Sequence, residues 1–336
     1  MSLLILILGY LPLALISIVL FTASFIEIVL RTQLIPLSLL FILVILSMTL
    51  TLHGQAFRFF NDRFKTPFKH KKADLQTLII ILIAGVITFS LNHPFGFGGF
   101  MASGTVGLIG TLMFTKHCVA IYTGSFVGMT HLHFLPDLYC VSLALIITGL
   151  LFIWGQSAYQ GFGGKLGTLS LLGTLLSGLV MGHFPFSSPF PGLGTGLMII
   201  LFSLIGCSIT LFIRATFNQN PVFASSVVTL LITFSVYLES GSFSHIYIAA
   251  AMCGSFVGMT QRHHLPHVLL YLLASLFAGT LLIFSTPFLE NAGGKLGTLA
   301  FGSVLSVKGF TDLYHLITLY IHGRYGKSTY LSEAHE

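Results

Sequence analysis

Seven residues, Gly-Ser-Phe-Val-Gly-Met-Thr, occur twice in this chain, at 124–130 and again at 254–260, 130 positions apart. At the same offset Gly-Gly-Lys-Leu-Gly-Thr-Leu recurs at 163–169 and 293–299, and His133, Leu135 and Pro136 are matched by His263, Leu265 and Pro266. Aligned without a gap, residues 117–170 match 247–300 at 23 of 54 positions. The matches gather in Gly, Thr, Lys, His and Pro, which a merely apolar composition does not produce. The chain therefore carries a duplicated unit, and its fold has to set two related halves against each other.

Composition then decides the solvent. Of 336 residues 55% are hydrophobic and 7% charged, with a mean hydropathy of +0.95, whereas soluble domains carry about 25% charged residues. Apolar runs that approach or exceed the roughly 20 residues needed to cross a bilayer cover 3–30, 34–52, 75–91, 137–156, 194–213, 222–238 and 267–287. Shorter Gly-rich pieces near 97–114, 118–130, 166–182, 246–260 and 296–307 read as full spans or half-spans. The sequence predicts an all-α, polytopic integral membrane protein. Its parts are two N-terminal helices over 1–53, a basic loop over 54–74, a first repeat over 75–190, a second over 194–322 and a polar tail over 323–336. Five crossings fit each unit at roughly 25 residues per crossing, and an odd number inverts the second unit in the membrane.

The +6 net charge is concentrated. Arg58, Arg63, Lys65, Lys69, Lys71 and Lys72 crowd into the 54–74 loop, which the positive-inside rule places in the cytoplasm of a bacterial inner membrane. Topology accounts for this charge without a nucleic-acid partner. The first apolar run lacks a basic stretch before it and is too long for a signal peptide, so a retained helix is expected. Cys118, Cys140, Cys207 and Cys253 form no CxxC pair and read as buried thiols.

The Gly-Gly-Lys-Leu-Gly-Thr stretches carry the most specific signal. Three glycines in five residues favour an unwound turn or close backbone approach, tolerated in a membrane only where protein or a watery cavity satisfies the freed peptides. A lysine there faces such a cavity or snorkels to an interface. Lys165, Thr168, Lys295 and Thr298 are thus candidate pore residues, against a reading in which they serve packing alone. Gly124 and Gly128, like Gly254 and Gly258, have the small-xxx-small spacing of touching helices, with Ser125 and Ser255 as secondary pore candidates. Asn92-His93-Pro94 and Asn220-Pro221 stand at nearly the same place in the two units and would break a helix, so Asn92 and Asn220 join the list. His131, His133, His263 and His264 are candidate metal ligands, with interfacial histidines as the competing reading. Glu27 has Arg31 one turn on and is expected to pair with it.

This order of motifs resembles the urea transporter family. Its members have two inverted five-helix halves, each with an Asn-Pro element, a Gly-rich helix and a pore-lining stretch. Here the first half offers Asn92 to Gly96, Tyr122 to Gly128 and Lys165 to Leu169, and the second offers Asn220-Pro221, Cys253 to Gly258 and Lys295 to Leu299. The resemblance spans roughly residues 75–320 and implies a passive, trimeric channel with Thr168 and Thr298 as selectivity threonines. It is one of layout, since lysines stand where the family has apolar residues. The expected function is therefore a non-enzymatic channel or transporter for a small polar solute, anions included, without a cofactor. The expected partners are the lipid bilayer and that solute. Transition-metal transport through the histidines is the second reading. An intramembrane metal enzyme and a membrane scaffold rank below it.

Overall fold

The computed structural model describes residues 2–32, 35–63, 72–184, 189–238, 244–290 and 292–333. Among them the chain forms helices and no strand. In order these are α1 (Ser2–Thr32), α2 (Ile35–Arg63), α3 (Lys72–Asn92), α4 (Gly99–Met113), α5 (Cys118–Gly128), α6 (Leu138–Trp154), α7 (Lys165–Met181), α8 (Leu193–Phe217), α9 (Pro221–Leu238), α10 (Ser244–Gly258), α11 (Val268–Ser285) and α12 (Lys295–Glu333). Five carry segments long and apolar enough to cross a membrane: Gly9–Thr32, Ile35–Phe57, Asp74–Asn92, Gly194–Phe217 and Val268–Ser285. The helices invade two segments expected to be irregular. Helix α2 continues to Arg63 and α12 continues to Glu333, while Lys65, Lys69 and Lys71 lie outside the described residues.

Local chemistry sets the helix ends. The Asp137 carboxylate accepts from the Cys140 amide at 2.8 Å and starts α6, which holds that carboxyl below its ordinary range. Pro221 opens α9, where its missing N–H costs nothing, beside Asn220 Oδ1, which accepts from the Val222 amide at 2.9 Å. Within the apolar interior Ser17, Ser24, Thr88, Thr210 and Ser303 donate to the carbonyl four residues back at 2.8 Å, so their hydroxyls cost little desolvation. The four cysteines are buried and free. Glu27 pairs with Arg31, whose guanidinium lies 4.8 Å from the Phe190 ring centre.

Equivalent helices pack in equivalent pairs. Helix α5 lies in the groove of α3, where Gly124 faces Ile81 and Gly128 faces Thr88; α10 lies likewise on α8, where Gly254 faces Ser203 and Gly258 faces Thr210. Ser103 meets Ser125 at 2.8 Å, and Ser225 meets Ser255 at 2.8 Å. These pairs reveal a change of register. The duplication runs at an offset of 130 through the second half of each unit, but at 122 through the first, because Ser225 answers Ser103 and Ser203 answers Ile81. The structural counterpart of Asn92 is therefore Arg214, and that of Asn220 is Gly98, which corrects the pairing of Asn92 with Asn220. The contacts agree. Asn92 Nδ2 donates to Gly128 O and Met129 O, both at 3.3 Å, and Arg214 donates to Gly258 O, the match of Gly128 O, and to Thr260 O one residue beyond the match of Met129 O. The two N-terminal helices pack outside this pair, with Ser47 and Thr51 donating to Ser306 O and Leu305 O of α12 at 2.6 and 2.9 Å.

Candidate functional site: an asymmetric cavity where the two units meet

The units join through the N-termini of α7 and α12. Gly164 and Gly294 have φ of 82° and 93°, a left-handed conformation that side chains resist, and each turns the chain into its helix. A methyl on Gly167 would lie 2.7 Å from Gly297 Cα, and one on Gly297 2.6 Å from Gly167 Cα, so the backbones touch. Gly164 faces Phe301 and Gly294 faces Leu171. The first two turns of α7 and α12 therefore overlap antiparallel. Each junction is latched from the other unit: Thr130 Oγ1 accepts from the Gly293 amide and Thr260 Oγ1 from the Gly163 amide, both at 3.1 Å. Residue pairs that exchange roles in this way are the mark of a two-fold relation.

The lysines close the other side of each junction. Lys165 Nζ donates to Gly155 O at 2.7 Å and Gln156 O at 3.1 Å, at the end of α6. Lys295 Nζ donates to Ser285 O at 2.7 Å, at the end of α11. Both lysines are buried. Gly155 O and Ser285 O also accept from the Ala158 and Phe288 amides at 3.1 and 2.8 Å, so each lysine adds a charged donor at a helix C-terminus, and this capping is the first role of the duplicated lysines.

Beyond that the halves diverge. Around Lys165 large side chains pack: Phe162 lies 3.8 Å, centre to centre, from the His264 ring, Tyr159 stacks on Tyr10 of α1 at 4.6 Å, and Lys165 has two acceptors among the described residues. Around Lys295 a cavity of about 650 Å³ opens. Ala292 stands where the first unit has Phe162, Leu289 where it has Tyr159, and Glu290 where it has Gln160. The cavity is bounded by the N-terminal ends of α12 at Gly293–Lys295 and of α4 at Gly98–Gly99, and reaches the surface beside the exposed His131 and His245. Asn92 and His93 line it, with His93 Nε2 2.9 Å from Thr130 O. Glu290 lines it too, and its Oε2 is buried without a hydrogen-bond partner among the described residues.

Of the pore candidates read from sequence, the structure brings Asn92 and Lys295 to this cavity. Thr168 and Thr298 are buried and donate to Gly164 O and Gly294 O at 3.2 and 3.4 Å, inside the crossing. Ser125 and Ser255 hold α5 to α4 and α10 to α9. Asn220 donates to Cys118 Sγ at 3.3 Å, joining the α9 start to α5. Among the described residues no three His, Cys, Asp or Glu side chains gather as a metal group. His131 stacks on His133 at 5.0 Å and His263 lies 3.9 Å from His264, but Asp137 is spent on the α6 cap and His264 is 2.8 Å from Gln160 O. Burial pushes His264 down to about 4. Burial also lowers His131, with the nearby His133 and His93 charges adding to it.

Sequence reading missed Glu290, Ala292, His93 and His245. The signal for the first two was present where the repeats differ, at Gln160 against Glu290 and Phe162 against Ala292, rather than where they agree. No family model matches the chain, and neither a curated protein nor a solved structure matches it.

Proposed function

We propose that the chain is a multi-pass membrane transport protein whose small, polar solute passes through the cavity between the two units. The observation that carries the reading is this cavity of about 650 Å³, which holds a buried lysine with one acceptor among the described residues while the equivalent lysine has two. Lys295 and two helix N-terminal ends bound it, a set that favours an anion or a strong hydrogen-bond acceptor. The antiparallel overlap of α7 and α12 supports two inverted repeats with an axis in the membrane plane, the architecture in which transport sites sit at the repeat interface. A urea-transporter-like layout, a trimer and an inner membrane with a cytoplasmic 54–74 loop belong to the same proposal and rest on the motifs and charge read from sequence.

The test is solute entry into proteoliposomes by stopped-flow light scattering, across urea, formate, nitrate and chloride. The reading expects saturable entry of at least one solute, lost in Lys295→Ala. Entry no faster than into protein-free vesicles, with monodisperse protein, overturns it.

A further inference from the structure

We propose that Glu290 is a proton-carrying group, so that a small monovalent anion and a proton occupy the cavity together. This rests on the transport reading above and goes beyond it, because it couples the solute to the proton gradient. The urea-transporter resemblance implies passive conduction, and acidic residues are nearly absent from the apolar runs. Glu290 escapes that count because it lies in the connection between α11 and α12.

The argument starts from desolvation. A carboxylate oxygen out of water and without a donor is costly in its ionised form and inexpensive as a neutral acid. Glu290 Oε2 is in that position. Burial accordingly pushes the carboxyl up, opposed by the Lys295 charge. Among the described residues no ion pair neutralises it, although Lys295 lines the same cavity and donates to Ser285 O instead. The other titratable groups on the cavity are His93 beyond α3, His131 beyond α5 and His245 on α10, while α11 contributes Leu282 and Thr286. Glu290 is thus the one acid among the described lining residues, facing a lysine and three imidazoles.

An anion drawn to Lys295 then meets Glu290. Ionised, Glu290 repels it within the shared cavity; protonated, it donates its O–H to the anion. Anion occupancy and proton occupancy therefore reinforce each other by linkage. The proton stays on the carboxyl while the anion is bound and leaves to water when the cavity empties. No bond other than the O–H is made or broken. The first unit lacks the device altogether, having Gln160 at the equivalent position and Phe162 in the space.

The experiment uses the full chain in proteoliposomes containing a pH-sensitive dye, with the membrane potential clamped and inward gradients of nitrate, chloride or thiocyanate, none of which is itself a proton carrier. The proposal expects the lumen to acidify as an anion enters, with an entry rate that falls about tenfold per pH unit above the Glu290 titration. Glu290→Gln should pass the anion without protons and without that pH slope, and Glu290→Asp should restore both. Anion entry without acidification in the unaltered protein overturns the proposal and leaves the transport reading standing. A pH slope and acidification that persist in Glu290→Gln also overturn it, and assign the protons to the histidines. If none of these anions enters but a neutral solute does, the anion-proton assignment falls alone; if nothing enters, the transport reading falls and takes this proposal with it.

Discussion

Two lysines with the same sequence surroundings do different work because of what stands three and five residues before them. Lys165 follows Phe162 and Gln160 and is consumed by two backbone carbonyls; Lys295 follows Ala292 and Glu290 and faces a cavity. Lys165→Ala should therefore act on stability, removing the charged donor shared by Gly155 O and Gln156 O, of which Gly155 O keeps the Ala158 amide. Removing charged hydrogen bonds of this kind costs about 1.5–3 kcal/mol, read as a lowered melting temperature in detergent. Lys295→Ala, with one carbonyl to lose, should cost less stability and more transport. Thr130→Val and Thr260→Val each leave a buried glycine amide without its acceptor, and each should cost about 1–3 kcal/mol in the same assay. His264 supplies the pH test. Its pKa falls from 6.5 to about 4 on folding, so the folded chain binds fewer protons than the unfolded one between those values. Its contribution to stability is full above pH 6.5 and is lost as the pH falls toward 4. His264→Phe, which installs the residue found at the matching Phe134, should flatten that part of the melting-temperature profile; an unchanged profile would assign the acid sensitivity elsewhere.

At the scale of elements, the crossing of α7 and α12 brings the two units into backbone contact. Its glycines touch backbone to backbone, so even one methyl group has to push the helices apart. Gly167→Ala or Gly297→Ala should each cost about 1–3 kcal/mol by overpacking, whereas Gly182→Ala, whose added carbon meets nothing within 4 Å, carries only the strain of its φ of 74°. Comparing their melting temperatures checks the ranking. Much of this scale was legible in the sequence. The apolar runs locate the helices in order, and the repeated Gly-Gly-Lys-Leu-Gly-Thr marks the turns that start α7 and α12, because both signals are local. The register change was not legible. An ungapped alignment at 130 fits the second half of each unit, while Ser103 and Ser125 are 22 residues apart and Ser225 and Ser255 are 30. Only tertiary pairing shows that Arg214, an unlike residue, answers Asn92. Lys295 could be picked out because a buried lysine is rare, but its neighbours could not, since Phe162 against Ala292 looks like ordinary drift until the space they line is seen.

At the scale of the whole molecule, the proposal of inverted repeats makes a sided prediction. Leu132 and Arg262 are equivalent at the offset of 130 and both exposed. Leu132→Cys and Arg262→Cys should be labelled by a membrane-impermeant thiol reagent from opposite faces, against a background of four buried native cysteines; labelling from the same face would contradict the inversion. The central claim is that the solute uses the cavity beside Lys295, and the two units supply their own control. Ala292→Phe places in the open half the side chain that fills the closed one, at a position whose counterpart already accommodates it. Stopped-flow solute entry into proteoliposomes bearing this variant is the direct measurement. The account predicts well-folded protein with entry reduced to that of protein-free vesicles, and entry as fast as that of the unaltered chain would contradict it.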